Sequence, residues 1–180
     1  MPEKSELELP APPRWMVALT VAAVALATLF GSFGRNTREI SDSFRRISPA
    51  AVTGLFPEAD RIEPALEAGL LRVVDSGGRT LGYVARSSVE TEKRAIGYAG
   101  PVPVVIGLTT DLRVRGVAIL PNREGHLYIK QATSRGLLDE WSGLDVAAAR
   151  AKDVATVSGA TRSSEAIIEA VRGTLRELLA

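Results

Sequence analysis

The longest apolar run in the chain extends from Trp15 to Gly34 and contains no charged residue. A helix of these twenty residues, at about 1.5 Å per residue, would cross the roughly 30 Å hydrocarbon layer of a membrane. We therefore predict a transmembrane helix over 15–34, preceded by a disordered, proline-rich tail over 1–14. A cleaved signal peptide and a buried core helix are the alternatives, but the run is long for the first and lacks the apolar stripe expected of the second.

After this run the pattern becomes amphipathic. Residues Ile40, Phe44 and Ile47 share one helical face, which predicts a short connector helix within 35–47. The remaining residues, 48–180, are predicted to form one domain.

Within 48–180, four short β-rich runs follow one another with turn residues between them. They cover 70–74, 80–85, 102–108 and 114–120. Successive strands without intervening helices favour an antiparallel sheet, and helical periodicity at 146–152 and near the C-terminus supplies helices to pack on it. The predicted fold class is therefore α+β. The glycine motifs of dinucleotide-binding and P-loop folds are missing from the sequence.

The last helix has the clearest amphipathic pattern. Apolar residues recur every three or four positions, at Ile167, Ile168, Val171, Leu175 and Leu178. Thr161 or Ser163 is the expected N-cap. The small residues Ser158, Gly159 and Ala160 precede the helix start, where unpaired N–H groups and the helix dipole can bind a phosphate. A capped helix after a glycine turn, with no ligand, is the alternative.

Composition and charge exclude several kinds of function and binding site. A formal charge of +1, without a basic run, gives no electrostatic argument for nucleic-acid binding. The sequence has no cysteine, which excludes disulfides, thiolate nucleophiles and cysteine-ligated iron–sulfur clusters. With His126 as the single histidine, a histidine-based metal site is not expected either.

The segment Ser158-Gly159-Ala160-Thr161 resembles the flavinylation motif of the FMN-binding domain in the G subunit of Rnf electron-transport complexes and the C subunit of sodium-pumping NADH:quinone reductase. The resemblance implies that a flavin transferase esterifies the phosphate of FMN to the hydroxyl of Thr161. Ala155 stands where this family usually has an aspartate, three residues before the motif serine.

A second stretch supports the same family. The segment from Phe56 to Pro64 is similar to the F-P-x-A-D-R-x-x-P sequence that opens the FMN domain of the membrane-bound regulator needed for nitrous oxide reductase expression. The segment that begins Gly97-Tyr98-Ala99-Gly100-Pro101 matches the family pattern that precedes its substrate-side loop, and it makes Tyr98 a further candidate for cofactor binding.

Four more candidate residues lie between the sheet and the motif. Glu124 and His126 belong to a predicted loop over 121–128, where they would face the flavin. Lys130 adds positive charge that could offset a phosphate or a reduced flavin, and Trp141, within a W-x-G-L resemblance, could stack near the flavin ring. The alternatives are solvated loop and helix residues for the first three and a core aromatic for Trp141.

Two arguments about orientation disagree. Lys4 and Arg14 precede the apolar run and four arginines follow it within 35–46, so the charge count favours a cytoplasmic C-terminal domain. The resemblance implies the opposite orientation, with a single-pass anchor in the bacterial cytoplasmic membrane and the FMN domain on the extracytoplasmic side. We follow the resemblance, because a small charge bias can be overridden by other determinants.

The predicted function is that of a flavoprotein electron carrier rather than an enzyme, with FMN bound covalently at Thr161. The resemblance implies a membrane redox partner, such as a polytopic iron–sulfur protein, and a flavin transferase for maturation. Two alternatives remain. One is a regulatory or assembly module of a respiratory system without redox turnover, and the other is a flavoenzyme with His126 as its proton donor.

Overall fold

The structure is a computed structural model that describes residues 47–65 and 69–179. The predicted tail over 1–14, the transmembrane helix over 15–34 and nearly all of the connector over 35–47 lie outside these residues. In the part of the chain that the structure does describe, none of the helices has the length and apolar character needed to cross a membrane.

Five antiparallel strands form one sheet in chain order. They are β1 (Arg61–Pro64), β2 (Leu71–Val74), β3 (Thr80–Arg86), β4 (Val104–Leu108) and β5 (Val114–Ile119). The predicted antiparallel α+β architecture is confirmed, and β2 to β5 lie where the four β-rich runs placed them. Every residue of β4, which lies between β3 and β5, is buried, because both faces of the sheet are covered.

Helices interrupt the strands more often than the sequence indicated. The helices are α1 (Pro49–Leu55), α2 (Val89–Arg94), α3 (His126–Ser134), α4 (Val146–Ala151) and α5 (Thr161–Glu177), with a 3₁₀ helix at Leu137–Trp141. The predicted loop over 121–128 is wrong in its second half, because α3 begins at His126. Leu127 and Tyr128 are apolar but exposed in the first turn of α3, so the sequence does not show the apolar periodicity that normally indicates a helix.

The sheet separates two apolar cores. On one face α5 packs against β4, α2 and α4, and its buried Ile167, Val171 and Leu175 join Ile106 and Trp141 in the larger core. On the other face α1 and Phe56 cover a smaller core that includes Val73, Val84 and Val105. Alternation along the strands sends neighbouring residues such as Val105 and Ile106 to opposite faces. The larger core fixes α5, and with it the residues before its first turn.

Candidate functional site

The start of α5 differs from the prediction in one respect. The N-cap is Ala160, without a side-chain hydrogen bond, and Thr161 is the first helical residue. The predicted N-cap at Thr161 or Ser163 is therefore wrong. Instead, the Ser164 hydroxyl ties the preceding turn to the helix, because its Oγ accepts from the Val157 amide at 3.2 Å and donates to the Ala160 carbonyl at 2.8 Å. Thr161 is consequently exposed at a helix start that no cap side chain covers.

The turn before Thr161 is attached to α3. Gln131 Nε2 donates to the Ser158 carbonyl oxygen at 2.9 Å, and Arg135 Nη1 donates to the same oxygen at 3.4 Å. Gly159 has a φ of +86°, and a Cβ atom there would lie 2.4 Å from Gln131 Nε2. Glycine is required here both for the left-handed backbone and for the close approach of Gln131.

A buried carboxylate joins three segments beneath this turn. Glu124 is only 8% exposed; its Oε2 accepts from Ser163 Oγ at 2.5 Å and its Oε1 accepts from the Ala99 amide. A Cβ atom at Gly97 would lie 2.6 Å from Glu124 Cδ, so glycine is needed for the 97–100 loop to approach the carboxylate. Glu124 thereby holds the 97–100 loop against the first turn of α5.

The surroundings of Glu124 favour its ionised form. Burial raises the pKa of this carboxyl, but hydrogen bonds from the Ser163 hydroxyl and from the amides of Ala99, Tyr98 and Gly100 outweigh burial and lower the pKa overall. The carboxylate oxygens are thus occupied by donors of the protein itself. This arrangement assigns Glu124 a role in fixing the site, whereas the sequence suggested a residue that faces the flavin.

An open cleft of about 150 Å³ lies beside Thr161. It is lined by Tyr98, Tyr128, Gly159, Ala160, Thr161, Arg162 and Ser163. Clefts that enclose drug-sized ligands have volumes of roughly 300–1,000 Å³, so a larger ligand bound here would remain partly exposed to solvent. Two aromatic rings and an accessible hydroxyl therefore share one open surface.

The structure brings together only part of the predicted site. Tyr98, Gly159, Ala160 and Thr161 line the cleft, and Ser158 is exposed in the adjoining turn. His126 and Lys130 are exposed on α3 and do not line it. Trp141 is fully buried in the larger core, where its Nε1 has no hydrogen-bond partner among the described residues. Its position fits the core alternative and leaves no face for a ligand in the cleft.

Three residues that line the cleft were not among the predicted binding residues: Tyr128, Arg162 and Ser163, of which Ser163 was predicted only as a possible N-cap. Arg162 follows the motif directly, and its Nε donates to the Gly97 carbonyl at 3.4 Å. Tyr128 could have been found from helical spacing, because a helix that begins after Gly125 carries Tyr128 in its first turn, close to the other predicted residues of that segment.

The comparison with family models gives one finding that bears on the cleft. Residues 97–176 match the model of the FMN-binding domain, and the match contains the 97–100 loop, Glu124, α3 and nearly all of α5. Among curated proteins the search found no match. The predicted resemblance to the FMN-binding domain family is thus confirmed over 97–176.

Proposed function

We propose, from the premise that residues 97–176 form an FMN-binding domain, that the chain is a membrane-anchored electron carrier with FMN esterified to Thr161. The observation that supports this proposal best is the exposed Thr161, which lines the cleft at the first position of α5. An acceptor for a transferase has to be accessible, and this threonine is.

The residues around Thr161 fit a phosphodiester. The start of α5 carries the positive end of the helix dipole, equivalent to about half an elementary charge, and no cap side chain occupies it. Arg162 lines the cleft, and Arg135 reaches the Ser158 carbonyl two residues before Ala160. Gly159 has no side chain that would restrict the access of a phosphate to the start of α5. Both charge and space therefore suit an anionic group on Thr161.

Attachment needs an activated FMN phosphoryl donor, which a flavin transferase would supply. A bond forms between Thr161 Oγ1 and phosphorus, the bond from phosphorus to the leaving group breaks, and the hydroxyl proton is released. The product differs from the free protein by the mass of FMN less one water. Bound FMN supplies one- and two-electron chemistry, while the protein contributes its attachment, position and electrostatic surroundings.

The openness of the cleft suits a carrier. A flavin at its edge would be partly exposed, so a redox partner could approach it directly. Because the sequence contains no cysteine, a cysteine-ligated iron–sulfur cluster would have to belong to that partner. We propose a polytopic iron–sulfur membrane protein as the partner class.

The experiment that tests this function is co-expression of the full chain with and without a flavin transferase. We expect the mass increment of FMN less water and in-gel flavin fluorescence only with the transferase. Trypsin should release the peptide 153–162, in which Thr156, Ser158 and Thr161 are the hydroxyl residues, and fragmentation should place the flavin on Thr161. Absence of label with an active transferase would contradict the proposal.

A regulatory or assembly module is the second candidate. The observation in its favour is Ala155, which stands in place of the family's usual aspartate and is exposed three residues before Ser158. If this position guides the transferase, the chain would keep the fold while escaping attachment. An unlabelled wild type that becomes labelled as Ala155→Asp would support this candidate over the electron carrier.

The proposed topology gives a separate prediction. With a single transmembrane helix over 15–34 and the domain outside the cytoplasm, a reporter that is active only outside the cytoplasm should be active when fused after Ala180. A reporter that is active only in the cytoplasm, fused at the same place, is the control. Activity of the second reporter alone would show that the arginines of 35–46 determine the orientation.

A further inference from the structure

Two exposed tyrosines stand at the cleft that contains Thr161. Tyr98 is 80% exposed and Tyr128 is 47% exposed, although large aromatic side chains contribute most when they are buried. Both line the same cleft, and they come from separate segments, the 97–100 loop and the first turn of α3. Packing into an apolar core does not explain why these two exposed side chains lie at the same site.

The backbone beneath each ring is fixed. Gly97 donates to the Gly100 carbonyl at 2.8 Å, Ala99 donates to buried Glu124, and Arg162 donates to the Gly97 carbonyl. These bonds attach the loop that carries Tyr98 to α5.

Tyr128 lies in the first turn of α3, a helix that Gln131 attaches to the Ser158 carbonyl at 2.9 Å. The Tyr128 amide donates to the Gly125 carbonyl at 2.9 Å, and a Cβ atom at Gly125 would lie 3.1 Å from Tyr128 Cδ2. Both rings are therefore presented to solvent by anchored segments.

The separation of the rings decides how they can hold a planar ligand. Their centroids are 6.4 Å apart and their planes are tilted by 34°. A ring placed between them would need about 3.5–4.0 Å on each side, and hence a separation of about 7–8 Å. At 6.4 Å the two rings interact with each other and a planar ligand cannot fit between them. A planar ligand can therefore contact them only from one side, on the surface that they form together.

We propose that Tyr98 and Tyr128 form an aromatic platform that contacts the isoalloxazine ring of FMN attached to Thr161 from one side. The inference rests on the proposed function and adds to it the residues that bind the ring. The opposite side of the flavin stays open to solvent and to a redox partner.

Flavin fluorescence tests the platform. A phenol in contact with an excited flavin donates an electron and recovers it on relaxation, which quenches emission without net oxidation. Labelled full-length protein should therefore be several-fold less fluorescent when native than after complete proteolysis, which leaves FMN on its peptide. Each of Tyr98→Leu and Tyr128→Leu should raise native emission and lengthen its lifetime, and the double variant should approach the emission of the digest.

The neighbouring Leu127 provides a matched control. It is 76% exposed beside Tyr128 but does not line the cleft, so Leu127→Ala should keep the quenching of the wild type. Tyr98→Phe and Tyr128→Phe should also raise emission, because they keep the ring and remove the donating phenol. Native protein that carries covalent flavin but is as bright as its digest would overturn the platform and leave the proposed function intact. Failure of labelling would instead overturn the proposed function.

Discussion

Replacement of Thr161 by Ala is expected to abolish covalent flavin completely, because it removes the oxygen that forms the bond to phosphorus. Intact mass should lose the increment of FMN less water, and in-gel fluorescence should disappear. The fold should persist. Thr161 is exposed at the first helical position and is not the N-cap, so the free energy of unfolding should change by no more than about 0.5 kcal/mol.

Two further variants make the result specific to this hydroxyl. Thr161→Ser offers the same oxygen with one methyl fewer and should keep part of the label. Thr156→Ala removes another exposed threonine from the same tryptic peptide and should label like the wild type. Full labelling of Thr161→Ala would move the attachment to a different residue and would contradict the assignment.

Replacement of Glu124 by Gln should produce the second large effect, on stability. The change leaves the Ser163 hydroxyl and the Ala99 amide without their anionic acceptor in a buried position. Hydrogen bonds to charged groups contribute about 1.5–3 kcal/mol each, so the free energy of unfolding at neutral pH should fall by about that amount or more. Denaturant unfolding monitored by circular dichroism measures the difference.

The effect should depend on pH in a defined direction. The pKa of Glu124 in the folded protein lies below its ordinary value of 4.5, so the folded state stabilises the ionised form. This contribution is complete above roughly pH 5 and is lost as the pH falls through the folded pKa. The stability difference between the wild type and Glu124→Gln should therefore be largest near neutral pH and should shrink below pH 4.5.

Glu165→Gln is the matched control, because Glu165 is an exposed glutamate on α5, the helix that carries Ser163, the partner of Glu124. It should leave stability and its pH dependence nearly unchanged. An equal loss of stability in both variants would show that Glu124 contributes only its charge to the helix start, and that its contacts to Ser163 and Ala99 add nothing.

Much of the sheet could be predicted because its strands end at strong turn signals. Asp75 and the glycines after it separate β2 from β3, and the runs of β-branched residues in β4 and β5 are unmistakable. β1 escaped prediction because its four residues include Glu63 and Pro64, which are poor strand formers. Its pairing with β2 depends on a partner strand that local sequence does not reveal.

Less of the site than of the fold could be predicted from the sequence. A motif of adjacent residues predicts Thr161 as the attachment residue. The predicted N-cap was wrong because the Ser164 hydroxyl already bonds the turn before the helix, where an N-cap side chain would otherwise bond. The partners of Glu124 lie 25 and 39 residues away along the chain, so its burial and its role in the loop depend on tertiary structure. Helical spacing after Gly125 could have indicated Tyr128, but its position beside Tyr98 depends on tertiary structure.

The order of the strands has a consequence for the timing of maturation. Each strand pairs with its neighbour in the chain, so the sheet can form progressively while synthesis continues. Thr161 and Ser163 belong to α5, which follows all five strands in the chain and can dock on the sheet only after they have been made. A transferase that recognises the assembled cleft would then modify molecules in which α5 has docked on the sheet and pass over those in which it has not, and flavin content would report on this step of folding.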